Sequence, residues 1–248
     1  MTNAVAVDYP ALYLEELLNL KQFEKLSDEE MTDLVGKALV DPNSRRPSIE
    51  TLLHAFLPSK HIDHVHADSI CALTNHPGGE KAVEEALGKG FAYVDWIRPG
   101  FELSKYSSQF SEKEGIVLAH HGLIVWDEDS EKCKNKTLDA VSKANKFLDS
   151  LSIKPTAKFD HAGPDDEELN NLLLALRGKL SKKTKRVLTI DSRLKEISKR
   201  QDLKNVAEAG VSSADHMLRI RPWSAVLSEK PSVENSLLVL DKYIDCLL

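Results

Sequence analysis

The chain predicts a layered α/β or α+β fold, and three observations carry that expectation. Apolar residues recur at helical spacing in long segments, as in Leu138, Val141, Ala144, Phe147, Leu148 and Leu151. Short apolar runs of strand length, Ile116 to Ala119 and Leu123 to Trp126, alternate with such segments. The 248 residues are 42% hydrophobic and 29% charged, enough apolar surface for a sizeable core and unlike a disordered chain.

Taken in order, Leu12, Leu14, Leu17, Leu18 and Leu20 predict a short helix between Tyr9 and Phe23. Ser27-Asp28-Glu29-Glu30 reads as a capping box that opens a helix to about Val40, stopped by Asp41-Pro42-Asn43. Ser48 is the expected cap of a helix with Leu52, Leu53 and Phe56 on its buried face, ended by Pro58. His61 to His66 alternates as a strand and Ala67 to Leu73 follows as a helix. Gly78 to Leu87 reads as a helix, Phe91 to Trp96 as a strand and Arg98-Pro99-Gly100 as a turn. After the two apolar strands, Ser130 is expected to cap the long amphipathic helix. Pro155 to Pro164 is the candidate domain boundary. A helix (Asp166 to Leu180), a basic turn (Lys182 to Arg186), a strand (Val187 to Asp191) and a helix (Val233 to Leu247) follow it. The basic turn reads as a solvated loop rather than an anion site.

The balance of 33 basic against 39 acidic residues, net charge -6, argues against a nucleic-acid partner. No apolar run approaches membrane-spanning length and no secretory signal opens the chain, so a cytoplasmic protein without a membrane partner is expected. Cys71, Cys133 and Cys246 are odd in number and widely spaced, which fits a reducing compartment better than a disulfide framework.

The chemistry lies in the histidines. His64 and His66 stand at i and i+2 on a predicted strand, so both imidazoles leave one face and can converge on one ion. Alone, such a pair is a weak signal. His121, before Gly122 at the end of an apolar strand, is placed to add a third nitrogen, and three imidazoles on Zn²⁺ leave a position open for catalysis. His120 alternates to the other face. Glu50, in the first turn of the Ser48 helix, is either a dipole-complementing acid or part of the site.

Pro47-Ser48-Ile49-Glu50, then His64-Val65-His66, then His120-His121-Gly122-Leu123-Ile124 resembles the zinc-dependent class II aldolase/adducin family. Within it, the last stretch is most similar to L-fuculose-1-phosphate aldolase. Arg46 to His66, Arg98-Pro99-Gly100-Phe101 and Asp215-His216 resemble the aldolase part of bifunctional rhamnulose-1-phosphate aldolase/dehydrogenases. The resemblance covers about Tyr9 to Pro222. It implies a three-layer α-β-α fold with a central, mostly antiparallel sheet, the family's N-terminal strands being expected to be missing. Joined to the candidate boundary, it gives residues 1–155 as a zinc-dependent aldolase-like core and 156–248 as a C-terminal α/β extension expected to pack on it.

For the site, the resemblance implies zinc on His64, His66 and His121, Glu50 as catalytic acid/base and Ser48 as a contact for substrate phosphate. The implied reaction is retro-aldol cleavage of L-fuculose or L-rhamnulose 1-phosphate to dihydroxyacetone phosphate and L-lactaldehyde, by a homotetramer. A pentulose-phosphate 4-epimerase and a non-catalytic, adducin-like interaction module or incomplete aldolase are the alternatives. The family's GNxS-like and Ser-Gly phosphate loops, and a proton-donating tyrosine near Trp96 to Arg98, have no counterpart here. No GxGxxG fingerprint follows, so a dehydrogenase activity is not expected.

Overall fold

A computed structural model of the chain describes residues 9–151, 165–182, 184–191, 195–213, 216–217, 220, 222–227 and 231–245. The expected boundary at Pro155 to Pro164, and Lys183, Asp215 and Cys246, lie outside the described residues. The chain divides into two compact units, Met1–Leu151 with Ser212–Asp215, and Ser152–Val211 with His216–Leu248. No helix among the described residues is long and apolar enough to cross a membrane.

The first unit is built on four strands, β1 (His61–Val65), β2 (Phe91–Val94), β3 (Gly115–Leu118) and β4 (Gly122–Asp127). Their spatial order is β1-β4-β3-β2, with β1–β4 and β3–β4 antiparallel and β2–β3 parallel. Seven α-helices accompany them among the described residues: α1 (Leu14–Asn19), α2 (Asp28–Lys37), α3 (Thr51–Ala55), α4 (Asp68–Thr74), α5 (Gly79–Leu87), α6 (Phe101–Ser107) and α7 (Ser130–Ser150).

Strand alternation sends successive side chains into two different cores. Val117, Leu123 and Val125 pack with Ile70, Leu73, Val83 and Ala140 from α4, α5 and α7. Ile116, Leu118, Ile124 and Trp126 pack on the other side with Leu53 of α3 and Leu103 of α6. Helices therefore cover both faces of a mostly antiparallel sheet, and the three-layer expectation holds. A third cluster, with Leu17, Met31, Val35, Leu52, Phe56 and Phe101, ties α1 and α2 to α3 and α6.

Local chemistry explains most element ends. The Ser27 hydroxyl accepts from Glu30 N–H at 3.2 Å while Glu30 Oε2 accepts from Ser27 N–H at 2.9 Å, the expected capping box. At α7 the cap is Asp129 rather than Ser130, its carboxylate accepting from Lys132 N–H at 2.9 Å. Ser48 does not cap α3 either. Glu50 holds that position, and the Ser48 hydroxyl accepts from Glu50 N–H at 3.2 Å one step earlier. The turn Arg98-Pro99-Gly100 leads into α6, which its two apolar anchors, Phe101 and Leu103, were too few to announce.

In the second unit, α8 (Asp166–Leu180) starts from a capping box between Asp165 and Glu168. The helices α9 (Lys195–Ser198), α10 (Leu203–Glu208) and α11 (Val233–Asp245) follow. α8 packs on α11, where Leu172 and Leu240 are buried and Lys179 pairs with Asp241. The expected strand Val187 to Asp191 is not formed. Val187 is 86% exposed and Ile190 65%, and among the described residues this apolar run has no neighbouring strand to complete a ladder.

Candidate metal centre

The register of β1 on β4 decides where the histidines point. His64 pairs with Ile124 and Val65 with Leu123. Val65 packs toward α4, α5 and α7, and Ile62 toward α3 and α6. By alternation His64 and His66 share the face of Ile62, the side that carries α3. Continuing the register sets His66 opposite Gly122, and a Cβ at Gly122 would lie 2.5 Å from Val65 O and 2.8 Å from His66 Cδ2. Only glycine lets the β3–β4 turn come this close. The turn itself holds His120 at φ 58, the only left-handed non-glycine among the described residues, and directs His121 inward. His121 is buried, whereas His120 is exposed, with Nδ1 2.8 Å from Asn75 Oδ1.

One ligand atom from each of Glu50, His64, His66 and His121 falls within 4.8 Å of all the others. The imidazole centroids form a near-equilateral triangle, 5.0 Å for His64–His66, 5.0 Å for His64–His121 and 4.8 Å for His66–His121. Donor nitrogens on one tetrahedral zinc stand about 3.3 Å apart, so this cluster needs only small side-chain adjustments to close on an ion. Two of its polar atoms, His64 Nε2 and Glu50 Oε1, are buried without a hydrogen-bond partner. His121 Nε2 lies 2.9 Å from Glu50 Oε1, an ion pair where the ring is protonated. A buried carboxylate oxygen and a buried ring nitrogen that lack hydrogen-bond partners are groups a divalent cation between them would satisfy. The donor set therefore fits a divalent metal.

Protonation states agree with that fit. Burial pushes the Glu50 carboxyl up, but the adjoining His121 ring and the fields of His64, His121 and His66 outweigh it and hold the group at about 2. Burial pushes the His64 imidazole down to about 3, the neighbouring rings adding to the effect and Glu50 opposing it. A neutral imidazole beside a carboxylate is the state in which these groups bind a metal.

Residues 20–144 match the sequence model of the family described as Class II Aldolase and Adducin N-terminal domain. The chain belongs to the class II aldolase/adducin family. It is 29% identical over 242 residues to the uncharacterized oxidoreductase YuxG of Bacillus subtilis, covering 93% of this chain but 35% of that protein. The solved N-terminal class II aldolase domain of a conserved Thermoplasma acidophilum protein is 33% identical, with a TM-score of 0.53. That match covers 56% of this chain and 66% of the Thermoplasma chain. The chain thus spans about a third of the Bacillus protein and just under two thirds of the Thermoplasma one.

Of the residues expected in the site, the fold gathers Glu50, His64, His66 and His121. Ser48 is exposed, bonded to the Glu50 N–H, and lines a groove of about 1020 Å³ with Lys37 and Arg46, along α2. Sequence reading missed His54, whose Nε2 lies 3.1 Å from His64 Nδ1. Its position one helical turn beyond Glu50 was the available signal.

Proposed function

We propose that this family member is a zinc-dependent lyase that cleaves a deoxyhexulose 1-phosphate, L-fuculose or L-rhamnulose 1-phosphate, to dihydroxyacetone phosphate and L-lactaldehyde. The convergence of three imidazoles and one carboxylate in a half-buried cluster carries the reading. Zinc held by His64, His66 and His121 would supply a Lewis acid for the negative charge that develops as the C3–C4 bond breaks.

The chain's own residues do the rest. Burial keeps the His64 ring neutral, so its nitrogen is available as a ligand. Glu50, ionised and beside the three imidazoles, is the base or acid that moves a proton at C3 of the three-carbon fragment. The Ser48 hydroxyl accepts from Glu50 N–H and so keeps its own proton to donate to the substrate phosphate. Assembly as a homotetramer in the cytoplasm belongs to the same reading.

The test is a zinc-reconstituted chain assayed against both ketose phosphates with detection of dihydroxyacetone phosphate. Glu50→Gln is expected to keep zinc and lose about 10²–10⁴-fold in turnover. A 4-epimer product in place of cleavage would favour the epimerase reading. Zinc binding without turnover of either substrate would favour an interaction module.

A further inference from the structure

His54 touches no other member of the cluster's ring triangle, yet it meets His64 edge on, with ring centroids 5.3 Å apart and Nε2 3.1 Å from His64 Nδ1. Its backbone N–H donates to the Glu50 carbonyl at 3.3 Å, so one turn of α3 spaces His54 from the carboxylate of the cluster. We propose that His54 is a positioning residue, which accepts the Nδ1–H of His64 and locks that ring in the tautomer whose Nε2 lone pair faces the cluster. The proposal rests on the metal-site reading given under Proposed function.

A neutral imidazole carries one N–H and one bare nitrogen. Between His54 and His64 a single proton serves the 3.1 Å contact, so one ring donates and the other accepts. If His64 accepted, its proton would sit on Nε2, a buried atom that no acceptor meets. If His64 donates, that same atom keeps its lone pair, in a ring that stands among Glu50, His66 and His121. The second arrangement leaves no buried N–H unsatisfied. It also makes Nε2 a ligand before any ion arrives, which is how an outer hydrogen bond fixes a metal-binding histidine.

The test uses the full chain, stripped of metal with a chelator, labelled with ¹⁵N in its histidine rings, and then titrated with Zn²⁺ alone. In the metal-free wild type, the His64 ring is expected to carry its proton on Nδ1. His54→Phe keeps an aromatic ring but removes the acceptor, and is expected to move His64 toward the Nε2–H tautomer and weaken zinc binding about 10–100-fold. His54→Gln, whose amide oxygen accepts, should recover most of that affinity. A metal-free wild type with His64 protonated on Nε2 would overturn the proposal. So would a folded His54→Phe chain whose zinc affinity stays within about threefold of wild type. Should the wild type bind no zinc at all, the metal-site reading fails by itself, and the ring spectrum still decides which nitrogen of His64 holds the proton.

Discussion

The two units of this chain contain comparable apolar sequence and use it differently. In the first, Ile116, Val117, Leu123, Ile124 and Val125 are wholly buried, because β3 and β4 are covered on both faces by helices. In the second, Val187 and Ile190 stand in solvent, and the described core is the seam where Leu172 of α8 and Leu240 of α11 are buried. An apolar run becomes a strand only where a neighbour completes its backbone hydrogen bonds. The same contrast locates the chemistry. The rigid sheet aims His64 and His66 at one point by register, while the second unit presents its basic residues on an exposed turn.

The largest effect that sharpens this contrast is in the cores. Ile124→Ala opens a cavity at the centre of the sheet and should lower unfolding stability by about 2–5 kcal/mol, read from urea denaturation. Val187→Ala removes exposed atoms only and should stay within about 0.5 kcal/mol. Equal losses would mean that the exposed run has a buried partner after all.

A smaller effect is the response to acid of the metal-free chain. The His64 ring titrates near 6.5 when unfolded and at about 3 when folded, chiefly because it is buried. Between those values the unfolded state holds the extra proton, so stability falls as the pH is lowered from about 6.5 toward 3. Glu50, lowered from 4.5 to about 2, acts in the same direction at lower pH: its contribution is present above 4.5 and lost on descent to about 2. Urea midpoints measured across this range should fall with pH, and His64→Asn should flatten the upper part of the slope. Val187→Ala should leave the slope unchanged.

The smallest effect separates two anion sites. If the substrate phosphate docks at the rim of the cluster, Ser48→Ala should raise KM about tenfold and leave kcat near wild type, since a phosphate remote from the breaking bond contributes uniform binding. Lys185→Ala, on the basic turn of the second unit, should leave both unchanged. The reverse pattern would move the phosphate to that turn.

Much of this was legible in the sequence because the signals were local and mutually consistent. The alternation of Ile62, His64 and His66 on one strand and the His121-Gly122 turn were enough to expect the three imidazoles together, and the fold does converge them. The Ser27 capping box and the extents of α5 and α8 could be read for the same reason. What escaped depended on contacts distant in sequence. Ser48 reads as a helix cap, but Glu50 takes that place and its carboxylate reaches toward His121. His54 is an ordinary polar position on a short helix until β1 brings His64 alongside it. The stretch Val187 to Asp191 has strand-like composition, and nothing within it reveals the lack of a pairing edge.

The proposed metal centre draws its four side chains from one strand and its end (His64, His66), a turn (His121) and the cap of a short helix (Glu50). Zinc titration of the metal-free chain, followed by calorimetry and metal analysis, tests it most directly. About one zinc per chain is expected, retained in His120→Ala and abolished in His64→Ala and in His121→Ala. Stoichiometric zinc in a His64→Ala, His66→Ala double variant would contradict it.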